Sequence, residues 1–253
     1  MGTGAITQYV DVAQLVLYAF WAFFFGLIYY LVRENHREGY PMETDGHARG
    51  KITGWPVPAP KTYLLHDGTQ VTVPDLNKGE PANNSEPNHS WIGAPLVPTG
   101  NPLLAGVGPG AYANRADVPE PDEHGKPKIV PLRLAAGFGV ARQDRDPRGM
   151  PVVGADGVTG GMVKDLWVDQ MERAFRFLEI EVPGAARNVL VPMLFVRIGR
   201  DSVKVEAVLG AQIAQAPVTR NPEQVTMLED EKIGAFYAAG TLYATQERAE
   251  ALV

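Results

Sequence analysis

Residues Val12 to Val32 read VAQLVLYAFWAFFFGLIYYLV, a run of 21 residues that contains no charge and only one strongly polar side chain, Gln14. A helix of this length measures about 31 Å, close to the thickness of the hydrocarbon layer of a bilayer. Because lipid cannot satisfy backbone amides, an apolar segment that crosses a membrane alone must be helical. The alternatives are a buried core helix and a signal peptide, but the run lacks the basic leader and small-residue cleavage site of a signal peptide. The run therefore predicts a retained transmembrane helix over residues 12–32.

The flanks of this run predict its orientation. Asp11 is the only charged residue before it. The basic residues that follow it most closely are Arg33, Arg37, Arg49 and Lys51. Because basic residues stay on the cytoplasmic side of a membrane, residues 33–253 are predicted to be cytoplasmic and residues 1–11 periplasmic.

The cytoplasmic end of the run carries side chains that are typical of a membrane boundary. Tyr29 and Tyr30 close the apolar stretch, and Arg33 and Arg37 follow it. Amphipathic aromatic rings favour the headgroup layer, and arginines pair with anionic headgroups. We therefore predict that these four residues contact lipid and that Gly39 helps to end the helix.

The composition of residues 33–253 excludes several functions. This part contains all 23 Lys and Arg residues and 28 of the 29 Asp and Glu residues, so its net charge is about −5. A negative net charge argues against a nucleic-acid partner. The chain has no cysteine. This excludes disulfides, thiolate nucleophiles, Cys-ligated zinc, iron–sulfur clusters and covalently attached haem.

Residues 33–127 form an extended, proline-rich segment. Residues 41–127 hold 14 of the 21 prolines, which disfavour long helices and central strands. Aromatic and aliphatic side chains are scattered through the segment, whereas free linkers are poor in them. We predict that it lies on another protein surface, with one hairpin from Tyr63 to Val73 around Asp67-Gly68.

Residues 128–220 have the pattern of a compact β domain. Asp156-Gly157 separates two apolar runs and predicts a hairpin, and residues 178–182 alternate with a period of two. Short strands with tight turns predict a small closed barrel, because closure removes exposed edges. In residues 221–253, Asn221 and Pro222 predict the start of a helix that runs to about Ala238 and ends at Gly240.

Sequence motifs for catalysis and for metal binding are weak. The chain has three serines and no G-x-S-x-G motif, and its glycines at 154, 157 and 160 fit a hairpin turn rather than a nucleotide-binding loop. Its five histidines are isolated in the sequence, so no metal site is predicted. No catalytic residue and no bound cofactor are predicted.

Two groups of titratable residues are candidates for proton transfer. The first contains Asp122 and His124, and the second contains Asp169, Glu172 and Arg176. Carboxylates and imidazoles exchange protons near neutral pH. The alternative is that both groups belong to ordinary solvated loops.

Short motifs along the whole chain point to a known family. They are Arg37-Glu38-Gly39-Tyr40-Pro41, Pro98-Thr99-Gly100-Asn101-Pro102, Asp146-Pro147-Arg148-Gly149, Asp165-Leu166-Trp167-Val168-Asp169 and Leu242-Tyr243-Ala244-Thr245. In this order they resemble the H subunit of the photosynthetic reaction centre of purple bacteria. The membrane exit and the Asp-Leu-Trp-Val-Asp strand are the most specific of these motifs.

This resemblance implies a fold, partners and a location. The fold is a single N-terminal transmembrane α-helix, a mainly β cytoplasmic domain with a small closed PRC-type barrel, and a C-terminal helix. Such a subunit is not an enzyme and binds no pigment; it caps two membrane subunits that hold bacteriochlorophyll, bacteriopheophytin, quinones, carotenoid and non-haem iron. The implied surroundings are the bacterial intracytoplasmic photosynthetic membrane, its lipids and a light-harvesting antenna. Whether a cytochrome subunit is attached stays open.

The resemblance also assigns expected roles to the titratable residues. Glu172 matches a carboxylate near the secondary quinone, Arg176 its basic neighbour, and Asp169 an acid on the same approach. Asp122 and His124 match the cluster at which protons are taken up. Some relatives bind inhibitory zinc or cadmium there, but Lys126 replaces their second histidine.

Two functions of different classes stay open from the sequence. One is a structural, proton-conducting subunit of a light-driven redox complex. The other is a membrane-tethered PRC-barrel adaptor without a redox role. Near-infrared absorbance of the purified complex distinguishes them.

Overall fold

The first helix, α1, spans Val12–Asn35 in the computed structural model, which describes Ile6 and residues 11–39, 42–43, 51–52, 55–75, 84–91 and 94–249. Asp11 is its N-cap: the Asp11 carboxylate accepts a hydrogen bond from the Gln14 N–H at 2.7 Å, and the Gln14 side chain returns one to the Asp11 N–H. No α1 residue is buried within the chain. Of the helices in the described ranges, α1 alone is long and apolar enough to cross a membrane. It exceeds the predicted span by three residues and ends before Gly39, which has a φ of +77°.

The chain divides into two compact units, of which the first comprises Met1–Asn83 and His89–Pro95. Besides α1, the described residues of this unit form two antiparallel pairs of strands. They are β1 (Met42–Glu43) with β2 (Lys51–Ile52), and β3 (Lys61–Leu64) with β4 (Gln70–Val73). The β3–β4 pair confirms the predicted hairpin: the Asp67 carboxylate accepts the Thr69 N–H at 2.9 Å, and Gly68 adopts a φ of +83°.

The second unit comprises Asn84–Asn88 and Leu96–Val253. Its strands are β5 (Ser85–Pro87), β6 (Leu96–Pro98), β7 (Ile129–Pro131), β8 (Pro151–Gly154), β9 (Thr159–Asp169), β10 (Ala174–Glu181), β11 (Val189–Pro192), β12 (Arg197–Ile198) and β13 (Val203–Val205). Strand β5 pairs with β6. The remaining seven strands form one sheet in the order β11-β10-β9-β8-β13-β12, and β7 pairs with β9 as well.

The core lies on the inner face of this curled, half-barrel sheet. The hairpin of β8 and β9 at Asp156-Gly157 is confirmed. The strand predicted over residues 178–182 corresponds to the end of β10, but β10 stops at Glu181, and its alternation of buried and exposed residues fails at Glu179, which is buried. The largest fully buried side chains include Trp167, Phe177 and Phe236. Among the described residues no pairing joins β11 to β12, so the sheet curls without closing through its ladders.

The second helix, α2 (Met227–Tyr243), packs its buried face into the same core. The predicted bounds of this helix were wrong at both ends. Its N-cap is Thr226, which exchanges hydrogen bonds with Glu229 in a capping box, whereas the Asn221 side chain accepts the Glu223 N–H and stabilises a separate turn. Gly240 lies inside the helix, where it allows the helix to pack closely against Ala207. A Cβ at this position would lie 2.5 Å from the Ala207 carbonyl oxygen.

The predicted fold class is confirmed: an apolar N-terminal helix, a mainly β domain and a C-terminal helix. The segment bounds 33–127, 128–220 and 221–253 stay predictions, and parts of 1–11, 33–127 and 221–253 fall outside the described residues.

Candidate functional site

A loop from Glu120 to Lys128 carries Asp122 and His124 at its tip and ends beside Asp169 and Glu172. The Lys128 N–H donates to the Glu120 carbonyl oxygen at 2.8 Å, and Pro121 bridges to Pro127, so the base of the loop is closed. Beyond Lys128 the chain enters β7, whose Ile129 is paired with Asp169 at the end of β9. The base of the loop therefore lies beside the turn between β9 and β10.

Lys128 is the centre of a cluster of three carboxylates. Its Nζ lies 3.1 Å from Asp169 Oδ2, 3.4 Å from Glu172 Oε1 and 3.6 Å from Glu120 Oε2. The hydrogen bond to Asp169 raises the pKa of Lys128 against the opposing effect of desolvation, and the charges of Asp169 and Glu120 and the hydrogen bond to Glu172 add to this rise. The ammonium thus stays charged and leaves this cluster with one positive and three potential negative charges. Sequence reasoning missed Lys128 because 44 residues separate it from Glu172.

Asp169 and Glu172 have different freedom within this cluster. The buried Asp169 carboxylate accepts hydrogen bonds from the Met171 and Glu172 N–H groups at 3.0 and 2.9 Å, which fixes the turn after β9. The Glu172 side chain is 62% exposed. Asp169 is therefore held by two backbone donors, whereas Glu172 is open to solvent and contacts Lys128 alone among the described side chains.

Arg176, the basic neighbour expected for Glu172, pairs with a different carboxylate. Its Nη2 lies 3.4 Å from Asp230 Oδ2 on α2, whereas the cation beside Glu172 is Lys128. A register shift between Phe175 and Phe177 makes Arg176 the extra residue of a β-bulge. Such a bulge redirects the side chain of the extra residue, which explains why Arg176 contacts Asp230 and not Glu172. Burial raises the pKa of Asp230, and Arg176 partly opposes this shift.

Asp122 organises the exposed tip of the loop. Its Oδ1 accepts the N–H groups of His124 and Lys126, both at 2.8 Å, and the Gly125 N–H donates to its carbonyl oxygen. The Lys126 N–H bond and the His124 N–H bond lower the pKa of Asp122 against the opposing effect of burial. The His124 imidazole is exposed, with Nε2 3.6 Å from Glu123 Oε1. In the described part of the chain no three His, Asp or Glu side chains are grouped as a metal would require.

At the end of α1 the four predicted lipid-contact residues differ in exposure. Tyr29 and Tyr30 are exposed, and Arg33 is partly exposed. Arg37 is turned inward: its side chain is only 12% exposed, pairs with Glu34 at 2.6 Å and donates to backbone carbonyls of the first unit. Lipid contact by Tyr29, Tyr30 and Arg33 fits this geometry, and for Arg37 the geometry favours a role within the chain.

A second charged cluster, not predicted from the sequence, lies across the strands of the sheet. Arg133 Nη1 is 2.7 Å from Glu179 Oε2 and 3.1 Å from Asp165 Oδ2, and the Trp167 Nε1–H donates to the same Glu179 oxygen at 3.0 Å. Asn188 donates to the other Glu179 oxygen. A groove of about 780 Å³ passes beside Glu179, and none of the predicted proton-transfer residues lines it. The satisfied bonds of this cluster indicate a structural role.

Comparison with known families gives the half-barrel a class. The family model of the PRC-barrel domain matches residues 140–212, which include β8 to β13. The second unit therefore contains a PRC-barrel domain.

A second family model identifies the chain. The model of the photosynthetic reaction centre H-chain N-terminal region matches residues 4–134, more than half of the sequence. The chain therefore belongs to the H-chain family of the photosynthetic reaction centre. It is a subunit of a complex in the photosynthetic membrane, where it associates with the other reaction-centre subunits. H chains are structural subunits that bind no pigment, and the cofactors of the complex belong to the partner subunits.

Proposed function

We propose that this chain caps the cytoplasmic face of two pigment-binding subunits and assists proton delivery to their secondary quinone. It acts as an accessory subunit and catalyses no reaction itself. Support comes from its family, from the apolar helix α1 and from the basic residues that follow α1. By the positive-inside rule the N-terminus is periplasmic and both β-rich units are cytoplasmic.

A quinone that is reduced twice needs protons from outside its pocket. A doubly charged anion in a low-dielectric site is very costly unless protons or paired cations compensate it. A cap between the quinone and water must therefore carry protons or leave a path for them. Titratable side chains that reorient within hydrogen-bond reach of one another supply such a path.

The observation that carries the proposal is the Lys128 cluster at the base of the Glu120–Lys128 loop. The loop tip holds the half-buried Asp122 and the exposed His124, and Asp169 and Glu172 lie beside the loop base around one cation, Lys128. We assign proton uptake to the tip and transfer towards the quinone to Glu172. Asp169 holds the turn on which Glu172 lies. Arg176 and Asp230 form a flanking ion pair on this approach.

The surroundings of the complex follow from the same proposal. The partner subunits hold bacteriochlorophyll, bacteriopheophytin, quinones, carotenoid and non-haem iron. Tyr29, Tyr30 and Arg33 contact lipids of the intracytoplasmic photosynthetic membrane, and a light-harvesting antenna surrounds the complex.

The test replaces the proton-carrying group and keeps its shape. Glu172→Gln retains size and hydrogen bonding but removes the titrating proton. Flash absorbance on intact complexes should show a slower second electron transfer, which is coupled to proton uptake, with the first transfer little changed. Glu181→Gln is the matched control, because Glu181 is an exposed carboxylate at the other end of β10. An unchanged second transfer in Glu172→Gln from about pH 6 to 9 would contradict the assigned role.

A further inference from the structure

Trp55 lies beside the last apolar turns of α1. The centroids of the Trp55 and Tyr29 rings are 6.2 Å apart, and the indole is 81% exposed. The residues that follow it, Pro56 and Pro58, are buried within the first unit. The chain thus buries Pro56 and Pro58 but leaves the neighbouring indole of Trp55 uncovered.

Two side chains from the end of α1 hold this segment in place. The His36 Nδ1–H donates to the Pro56 carbonyl oxygen. The Arg37 guanidinium donates to the carbonyl oxygens of Ala59 at 2.8 Å and Val73 at 3.3 Å, while Glu34 fixes the same guanidinium. These bonds satisfy carbonyl groups of an irregular segment, which is required wherever water is scarce.

We propose that Trp55 is a membrane-interface anchor at the headgroup level beside Tyr29, and that Arg37 and His36 are the residues that position it there. An indole has an apolar body and one polar N–H, so it favours the boundary between acyl chains and headgroups. This anchor is remote in sequence from the transmembrane run, and the predicted lipid-contact residues did not include it. The inference depends on the membrane span and not on proton transfer.

The depth of Tyr29 favours lipid as the occupant. Tyr29 lies eight residues after Trp21, which is near the middle of α1, so at about 1.5 Å per residue it lies about 12 Å along the helix axis from Trp21. Half of the hydrocarbon layer is about 15 Å thick. A ring in contact with Tyr29 is therefore close to the headgroup boundary. The partly exposed Arg33 provides a cation for anionic lipid on the same turns.

The four tryptophans of the chain allow a test with internal references. The chain labelled with fluorotryptophan is assembled with unlabelled partner subunits in bicelles, and Trp→Phe variants assign the fluorine resonances. Trp21 reports the bilayer interior, and Trp167, which is fully buried in the barrel, reports the protein core. Lipids with a nitroxide near the glycerol end of the acyl chain should strongly broaden the fluorine resonance of Trp55. Lipids with a nitroxide near the methyl end should broaden the resonance of Trp21 most. Trp167 should respond to neither.

Two outcomes would overturn the anchor. Broadening of Trp55 only by a water-soluble paramagnetic chelate would place it in water. No broadening by lipid or chelate would mean that a partner subunit covers it. In Arg37→Gln the broadening of Trp55 by the glycerol-end nitroxide should be lost. Arg33→Gln removes the same charge, and Arg33 makes no hydrogen bond to the backbone of this segment among the described residues, so an equal loss there would refute the positioning role of Arg37.

Discussion

Replacing Glu179 with leucine should destabilise the barrel strongly. The substitution removes the acceptor of the Trp167 indole N–H, one of the two carboxylates beside Arg133 and the partner of Asn188. A buried donor without a partner costs about 1–3 kcal/mol, and removing one partner of a buried ion pair costs about 3–5 kcal/mol. Arg133 is 40% exposed and keeps Asp165, so screening places the expected loss near the lower bound, at about 3 kcal/mol.

Urea unfolding of the full chain in mild detergent, followed by tryptophan fluorescence, measures this loss. A loss of about 3 kcal/mol corresponds to a fall in Tm of about 6–12 °C for a chain of this size. Glu181→Leu is the matched control, because Glu181 is exposed two residues further along β10, and it should change the free energy of unfolding by less than about 0.5 kcal/mol. A change that small in Glu179→Leu itself would refute the reasoning. A double-mutant cycle with Trp167→Phe then isolates the indole–carboxylate bond.

Three further predictions concern pH, packing and topology. The hydrogen bond to Asp169 raises the folded-state pKa of Lys128 above its ordinary value of 10.5. The stability that the Lys128 ammonium contributes should therefore be present at neutral pH and be lost as the pH rises through the folded-state pKa. Lys128→Met should abolish this loss, as measured by urea unfolding at alkaline pH. Gly240→Ala places a Cβ 2.5 Å from Val208 Cγ1 and should lower the free energy of unfolding by about 1–3 kcal/mol. Gly234→Ala in the same helix meets open space and should be neutral or stabilising by up to about 1 kcal/mol. Thermal unfolding of the two variants compares these effects. Protease on the cytoplasmic face of membrane vesicles should digest the barrel, and full protection there would reverse the proposed orientation.

Local sequence signals predicted the elements whose determinants are local. The apolar helix α1 follows from 21 uncharged residues, and the β8–β9 hairpin follows from Asp156-Gly157 between apolar runs. The bounds of α2 failed for a physical reason. Asn221-Pro222 is a good helix start by composition, but the Thr226–Glu229 capping box forms the actual start. Gly240 resembles a helix end, but it is required for contact with Ala207.

The pairing of charges could not be predicted, because it depends on which strands are neighbours. Glu172 and Arg176 are four residues apart, yet the bulge in β10 directs Arg176 to Asp230. Lys128 comes to Glu172 only through the pairing of β7 with β9. Sequence motifs selected the residues of the proposed proton path, and the sheet topology determined their partners.

The most direct test of the central claim separates capping from proton delivery. Complexes stripped of this chain are rebuilt with the wild-type chain or with the double variant His124→Gln/Glu172→Gln, whose two side chains are exposed and contribute little to the fold. Flash absorbance then gives the rates of the first and second electron transfers to the secondary quinone. We predict that both chains restore the first transfer, and that only the wild-type chain fully restores the second. Full restoration of the second transfer by the double variant would contradict proton delivery through this chain.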